Sequence, residues 1–517
     1  MLYSGLSEAP LSERVFDVCI AGGGPAGITL ARRLASQGMD VLLMEGGGLE
    51  LTVESQDLYD GKNIGLDYYE PYTARLRYLG GSSNHWGGRC RELDAMDFHS
   101  RPYHPLSGWP LEKAELDAYA EEADAILEIG PRSAVPDTTV KLGGETVERL
   151  TYRHSPVKFL EKYLDELKAA PNIHVVINAN LVDLELNEGL KSVRHAVFRS
   201  HDPGEREYRI SAQAFCLCMG GLENPRFMLN VNRQVPAGIG NENDLVGRYF
   251  MEHPHFVIGD ILFEDTVPET ENYSMPMDFQ DDREMLNFSV RVVTEKLHLL
   301  REVSRTALCA TSFGERLARA VLGRNIDCDV GGADEYFDAR AFLADNPVGH
   351  VQVNTEQFLN PDSRVTLLDE TDALGMRRIA VDWQLADEDF HTMRVAGEWI
   401  GQRVAAEGLG RVRLRDWLLN RDIAPPGADE EMPGGHHHMC TTRMSDDPKQ
   451  GVVDRNCQVH GVENLFIGGS SVFATAGHAN PTYSIVQLAL RLGDHLGEAL
   501  QQQSMNVGRG LSPAGRT

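Results

Sequence analysis

From Val15 onward, apolar runs and glycine breaks follow one another in an order that predicts strand, turn, helix and strand. Val15–Ala21 is mostly apolar, as a buried parallel strand would be. It breaks into Gly22-Gly23-Gly24-Pro25-Ala26-Gly27, behind which Ile28, Leu30, Ala31, Leu34 and Ala35 recur at helical spacing. Gly38 closes that helix, and Val41–Met44 make a second strand running into Glu45.

Further on the pattern is coarser. Residues 110–129 read as one exposed, acid-rich helix and residues 156–167 as another. From Ile173 strand-like segments follow, ending at residues 215–219 in a second strand-to-glycine turn, Gly220-Gly221, with a helix through Leu229. Between 255 and 429, strand-like segments (255–263, 285–293, 348–352, 364–368, 379–385) alternate with a helix over 388–407. That alternation predicts an antiparallel sheet flanked by helices. Residues 485–496 form an apolar, buried helix, and residues 505–517 a frayed tail.

The first glycine run carries chemistry. Gly22 permits the tight turn, Gly24 lets backbone N–H groups approach a pyrophosphate, and Gly27 lets the helix pack closely on the strand. The positive end of the new helix then faces the phosphates. Glu45 lies about 20 residues past the glycines, where an acid accepts hydrogen bonds from ribose hydroxyls. Strand, turn, helix, strand and acid in this order predict the binding of an ADP-containing dinucleotide. A second glycine-rich stretch, Gly80-Gly81-Ser82-Ser83-Asn84-His85-Trp86, suits a loop wrapped around that ligand.

Composition narrows the partners. The 517 residues suffice for two or more structural units, and the formal net charge of −28 (77 acids against 49 Lys plus Arg) argues against nucleic acid or an anionic membrane. No apolar run approaches the ~20 residues of a membrane span, and the opening residues lack the basic and apolar regions of a secretory signal. Eight cysteines (19, 90, 216, 218, 309, 328, 440, 457) in so long a chain form no disulfide framework, so a reducing cytoplasm is the expected location. Cys216 and Cys218 read as buried thiols within a strand rather than metal ligands.

Near the C-terminus stand His436-His437-His438-Met439-Cys440-Thr441-Thr442-Arg443-Met444, Gly468-Gly469-Ser470 and Gly477-His478-Ala479-Asn480-Pro481-Thr482. Three consecutive histidines invite a metal reading, but the spacing to Cys440 matches none of the usual zinc arrangements. In an extended segment His436 and His438 share one face and His437 the other. Imidazole is suited to accept a proton near neutrality, so acid–base work ranks above metal binding. His253 and His255 read as partners of local turn hydrogen bonds. His478 reads as lining or supporting the pocket, and Arg443 as serving an anion, a flavin or a structural ion pair.

Taken together, the first glycine motif, the 80–86 loop, Gly220-Gly221 with Asn224-Pro225, Gly247 to Pro254, Asn360-Pro361-Asp362-Ser363-Arg364 and the C-terminal block resemble the glucose–methanol–choline (GMC) oxidoreductases, in that family's order and over nearly the whole chain. In style the chain is similar to the bacterial choline-dehydrogenase-like and pyranose-oxidase-like branch. The resemblance implies an α/β fold: a Rossmann-like FAD-binding domain with a discontinuous, α+β substrate-binding domain built on an antiparallel sheet. It implies FAD-binding segments at 1–100 and 151–254, a connecting or lid segment at 101–150, the substrate domain at 255–433, a catalytic return at 434–505 and a tail at 506–517.

Residue by residue, the resemblance places the catalytic base on His437, with His436 as the fallback, and its partner on Asn480. The family's glycine before the threonine is Cys440 here, whose larger side chain would reshape the turn. FAD contacts are implied at Gly22, Gly24, Pro25, Ala26, Gly27, Glu45, Gly81, Ser82, Asn84, His85, Val182 (against the adenine), Gly220, Gly468, Gly469, Ser470, Pro481 and Thr482. Gly468 replaces an acidic residue, so flavin contacts there would come from backbone N–H groups. In pyranose oxidases the histidine of a similar loop is bonded to the flavin, which leaves a covalent link through His85 open. The implied activity is oxidation of a sugar, polyol or other alcohol, with oxygen or another electron acceptor. The alternatives are a flavin-containing lyase of the hydroxynitrile-lyase type and the flavin subunit of a multi-component sugar dehydrogenase.

Overall fold

The computed structural model describes residues 1–9, 11, 14–201, 207–264, 271–294, 348–428, 430–431 and 433–510. Cys309, Cys328 and much of the stretch between the strands near 290 and 350 lie outside the described residues.

The first sheet has eight strands. In order across it run Leu2–Tyr3, Ile173–Val176, Val41–Met44, Val15–Ala21, Tyr208–Leu217, Val193–Arg199 and Asn180–Leu186, with Leu465–Ile467 also pairing Tyr208–Leu217. The pairings from Leu2–Tyr3 to Tyr208–Leu217, and that of Leu465–Ile467, are parallel; the two strands beyond form an antiparallel ribbon. Val41–Met44 and Ile173–Val176 are buried at every position, as strands covered on both faces must be. Helix Pro25–Ser36 packs on this sheet, and the last helix, Thr482–Gly510, packs along it. The chain end thus returns beside the first glycine turn. Arg33 clamps the two helices through Asp494 at 2.6 Å.

The second sheet has seven strands, all antiparallel: Gly410–Leu414, Val257–Phe263, Val348–Thr355, Phe288–Thr294, Asn272–Ser274, Glu145–Leu150 and Thr138–Leu142. Along Val348–Thr355 burial alternates. Val351, Val353 and Thr355 face the core beneath helix Asp387–Ala406, while His350, Gln352 and Asn354 face the other way.

Several expectations change. Residues 110–129 form two short helices, Lys113–Asp117 and Ala120–Ile126, with Leu116, Ala123 and Ile126 buried rather than exposed. Residues 138–150, expected within a connecting segment, supply the last two strands at one edge of the second sheet. Arg364–Thr371 and Arg377–Asp382 lie outside that sheet: they pair with each other, and Arg377–Asp382 pairs on its other side with Gly61–Asn63. The last helix runs on to Gly510, through residues expected to fray. Among the described residues no helix is long and apolar enough to cross a membrane.

Candidate active site

Three glycine turns converge at the ends of the parallel strands. Gly22 sits at φ +107°, and a Cβ there would lie 2.4 Å from the Cys218 carbonyl oxygen. A Cβ on Gly27 would lie 1.9 Å from the Gly22 carbonyl oxygen, so helix and turn approach more closely than any side chain allows. Gly24, by contrast, faces open space. Glu45 closes the turn: its carboxylate accepts from Gly23 N–H and Gly47 N–H, both at 2.8 Å.

The 80–86 loop lies on this turn. Gly80 N–H donates to the Gly23 carbonyl at 2.7 Å, and Gly81 faces Gly24, whose Cα would lie 3.3 Å from a Cβ placed on Gly81. Side chains hold the loop's own shape: Ser82 Oγ accepts from Leu76 N–H, and Asn84 donates to the Leu79 carbonyl. His85 is exposed, with Nε2 3.0 Å from the Tyr78 hydroxyl. Val182 is half-buried on Asn180–Leu186, against the core of the first sheet.

The second turn, at Gly220 (φ +89°), is tied to the third by a residue to which sequence reading gave no role. Asn224 Oδ1 accepts from Met219 N–H at 3.0 Å, and its Nδ2 donates to Ser471 Oγ at 2.9 Å. In the third turn, Gly468 N–H donates to the Leu217 carbonyl at 2.8 Å. That donor joins the strand ladder, which leaves the turn's other N–H groups for the flavin contacts expected there. The role of Gly468 is spatial, since a Cβ there would meet Cys218 Sγ at 2.8 Å. Gly469 follows at φ +105°, and Ser470 Oγ donates to the His438 carbonyl at 2.7 Å.

That last bond joins the turn to the histidine triplet, which runs alongside it. Cys440, Thr442 and Met444 N–H groups donate to the carbonyls of Ser470, Ser471 and Val472. The three histidines part company here. His436 packs on the Tyr69 ring, centroids 4.0 Å apart, and His438 Nε2 lies 3.1 Å from the Tyr68 hydroxyl. His437 turns the other way. Its Nε2 lies 3.1 Å from Asn480 Nδ2 and its Nδ1 lies 2.8 Å from His253 Nδ1. Asn480 leads through Pro481, whose carbonyl accepts from Ile485 N–H, into the helix that begins at Thr482.

Beneath the triplet lies Glu252, fully buried. Its carboxylate accepts from the backbone N–H of His253 at 2.8 Å, from that of His437 at 2.9 Å, and from the Tyr68 hydroxyl. Burial pushes Glu252 up to about 7 against the pull of these donors. Burial also pushes His437 well below the usual imidazole range, helped by the neighbouring His253 and His255, and pushes His253 down to about 3. The imidazole of His437 is therefore neutral at physiological pH, with a lone pair available.

Neither His253 nor Arg443 does what local sequence suggests. The His253 ring meets His437 rather than its own turn. Arg443 donates to three backbone carbonyls, Ala474 at 2.9 Å, Gln450 at 2.7 Å and Leu106, which lock the C-terminal block in place. His478 bridges Asp94 at 3.1 Å and the Tyr152 hydroxyl at 3.2 Å, and its carbonyl accepts from Asn354. Cys440, expected to reshape its turn, instead adopts φ +66°, the left-handed conformation natural to glycine. Cys216 and Cys218 are buried, their thiols pushed upward by desolvation. Among the described residues no group of three or more His, Cys, Asp or Glu side chains is arranged to hold a metal ion.

An open cradle of backbone groups flanked by Glu45, together with a buried histidine paired with an amide, suits a nucleotide-dependent α/β oxidoreductase. Comparison with known proteins agrees. The sequence pattern of the GMC oxidoreductases matches residues 360–489. The chain is 24% identical to the fructose dehydrogenase large subunit of Gluconobacter japonicus, over 94% of this chain and 98% of that one. It is also 24% identical to the 2-methyl-1,2-propanediol dehydrogenase of Mycolicibacterium austroafricanum, over 93% and 95%. Its fold superposes on an FAD-dependent oxidoreductase from Chaetomium thermophilum with a TM-score of 0.57 at 16% identity, over 94% of this chain and all of that one. Residues 360–489 thus carry the GMC oxidoreductase pattern, the chain along nearly its whole length is similar to these dehydrogenases, and FAD is the cofactor that the match implies for the glycine cradle.

Proposed function

We propose that the protein oxidises an alcohol carried by a sugar, polyol or similar hydroxylated metabolite to the corresponding carbonyl compound, with His437 as the base. The observation that carries this reading is the His437–Asn480 pair, 3.1 Å apart, with His437 on the segment that hydrogen-bonds along the third glycine turn. FAD, when bound, supplies the two-electron chemistry by accepting a hydride at N5. The chain's own task is the proton.

His437 Nε2 accepts the hydroxyl proton as the C–H bond breaks, so that the forming carbonyl is not left protonated. Asn480 holds the same oxygen by a hydrogen bond and sets its angle. The Glu252 carboxylate, 3.9 Å from His437 Nδ1, offsets the positive charge that the ring acquires. Asn480 Oδ1 is buried and has no hydrogen-bond partner among the described residues.

Gly22, Gly24, Pro25, Ala26, Gly27 and Glu45 would hold the nucleotide half of FAD. Gly81, Ser82, Asn84, His85, Gly220, Gly469, Ser470, Pro481 and Thr482 would border the flavin half, with Val182 against the adenine. The Cys-Thr-x-Arg-Met block and the Asn-Pro-Thr sequence support placement in the choline-dehydrogenase-like and pyranose-oxidase-like branch. Similarity along almost the full fructose dehydrogenase large subunit favours a second reading, a flavin subunit that passes electrons to a partner. The six described cysteines, all free and buried, support a reducing, cytoplasmic location.

The test is optical. The purified protein should show flavin absorption that sugars or polyols bleach anaerobically. His437→Ala should retain the flavin yet be reduced about 10²–10⁴-fold more slowly. Reduction of that variant at the normal rate would remove His437 from the role of base.

A further inference from the structure

The reading of His437 as base requires a bare lone pair on Nε2, the atom facing Asn480, and hence a proton on Nδ1. Nothing in an isolated imidazole enforces this, because both tautomers are accessible. A chain of contacts behind the ring does enforce it. His253 Nε2 lies 3.4 Å from the Ala476 carbonyl oxygen, and a carbonyl can only accept. The His253 proton therefore sits on Nε2, and its Nδ1 is a bare acceptor. That acceptor faces His437 Nδ1 at 2.8 Å, a separation at which two lone pairs would repel. His437 must carry its proton on Nδ1 and present Nε2 to the substrate.

The opposite arrangement can be followed through the same atoms. A proton on His437 Nε2 would need His253 to donate from Nδ1, leaving His253 Nε2 as a lone pair against the Ala476 carbonyl. The arrangement fails at that carbonyl. Ala476 and Asn480 lie on one short segment, so the same stretch of chain sets the tautomer at one end of the relay and meets the resulting lone pair at the other. Glu252 fixes the spacing, since its carboxylate accepts the backbone N–H of both His253 and His437. His253 is itself fully buried, so water does not compete for the contact.

We propose that His253 is a positioning residue which, oriented by the Ala476 carbonyl, fixes the tautomer of His437 and so directs its basic nitrogen at the substrate hydroxyl. This rests on the reading of His437 as base.

The test uses FAD-loaded protein and two substitutions. His253→Leu removes the acceptor at similar bulk, whereas His253→Asn restores an amide oxygen near the Nδ1 position. Flavin reduction by a bleaching substrate should fall by at least about 10²-fold in His253→Leu, toward the ~10⁴-fold loss that a fixed wrong tautomer causes elsewhere. It should stay within about 5-fold of the parent in His253→Asn, a recovery that a purely structural role would not produce. An independent readout needs no active variant: long-range ¹⁵N–¹H spectra of histidine-labelled holoenzyme, with the His437 signal assigned by its loss in His437→Gln. The proton is expected on Nδ1; a proton on Nε2 overturns the proposal, and decides the matter even if His253→Leu fails to fold. If His437→Ala reduces its flavin normally, the base reading itself falls. If His437→Ala is slow but His253→Leu keeps the parent rate, only the tautomer proposal falls.

Discussion

The two large sheets of this molecule leave different parts of the chain free for binding. In the first, strands such as Val41–Met44 and Ile173–Val176 are buried on both faces, so their side chains are committed to the core. Binding is left to the backbone at the strand ends, where the chain turns through Gly22, Gly220 and Gly469 at positive φ. In the second, Val348–Thr355 buries one face only. Its other face carries polar side chains: Asn354 donates to the His478 carbonyl near the histidine cluster, and Gln352 accepts from Arg291 on the neighbouring strand. Where backbone does the binding, conformation dictates the residue and few substitutes exist. Where a strand face does it, any side chain can stand there, and specificity can change without altering the fold.

The sharpest way to break this comparison is at Gly27. A methyl group there would sit 1.9 Å from the carbonyl oxygen and 3.1 Å from the carbonyl carbon of Gly22, backbone that the adjoining strands hold in place. Gly27→Ala should abolish FAD retention and destabilise the first sheet by about 3 kcal/mol or more, as overpacking of a rigid contact does. Flavin absorbance after gel filtration and thermal unfolding would measure both. Retained FAD with an unchanged melting temperature would mean that the turn yields, and that backbone conformation does not govern this half.

A smaller effect is expected at the seam between the halves. Arg101 makes a two-pronged ion pair with Glu356, both bonds at 2.7 Å and both side chains almost wholly excluded from water. Glu356 stands just past the end of Val348–Thr355, so the pair holds the chain leaving the glycine-rich loop against the second sheet. Arg101→Ala would leave a buried carboxylate without its partner, at a cost of about 3–5 kcal/mol. Because the cradle itself is untouched, the folded variant should still carry FAD. Denaturant unfolding followed separately by flavin fluorescence and by far-ultraviolet circular dichroism would show whether the second sheet loosens first.

This division also explains what could be read in advance. The turn at 22–27, Glu45 and the 80–86 loop stood out because a close backbone approach leaves a residue signature within a few positions. The pairing of His437 with Asn480 came from family order, not from local spacing, since 43 residues separate the two. Tyr68 went unread, and Glu252 and His253 were seen only as parts of a local turn, because their partners lie far away in sequence; Tyr68 meets His438 across 370 residues. The strands at 138–150 were missed because Glu145–Leu150 is buried at only two of its six positions, without alternation. A longer final helix went unread because Gly and Ser weaken the helical signal past residue 504 while the helix continues from its anchored start.

Cys440 offers the finest test, because there a residue other than glycine holds a glycine conformation. At φ +66° a non-glycine residue is strained by about 1–2 kcal/mol, yet the turn keeps its hydrogen bonds to Ser470 and Ser471. The fully buried thiol, 3.4 Å from Met251 Sδ, returns part of that through packing. Cys440→Gly should relieve the strain, lose the packing and gain entropy in the unfolded chain, for a net change within about 1 kcal/mol. Cys440→Ala keeps the strain and loses the sulfur, so it should be the less stable of the two by about 1 kcal/mol, the reverse of the usual order of Ala over Gly. Flavin reduction rates should match the parent in both, because the turn already has the shape that carries His437. A glycine variant less stable than the alanine variant would show that sulfur packing, not backbone conformation, governs the turn, and the rule drawn from the first sheet would not extend to the C-terminal return.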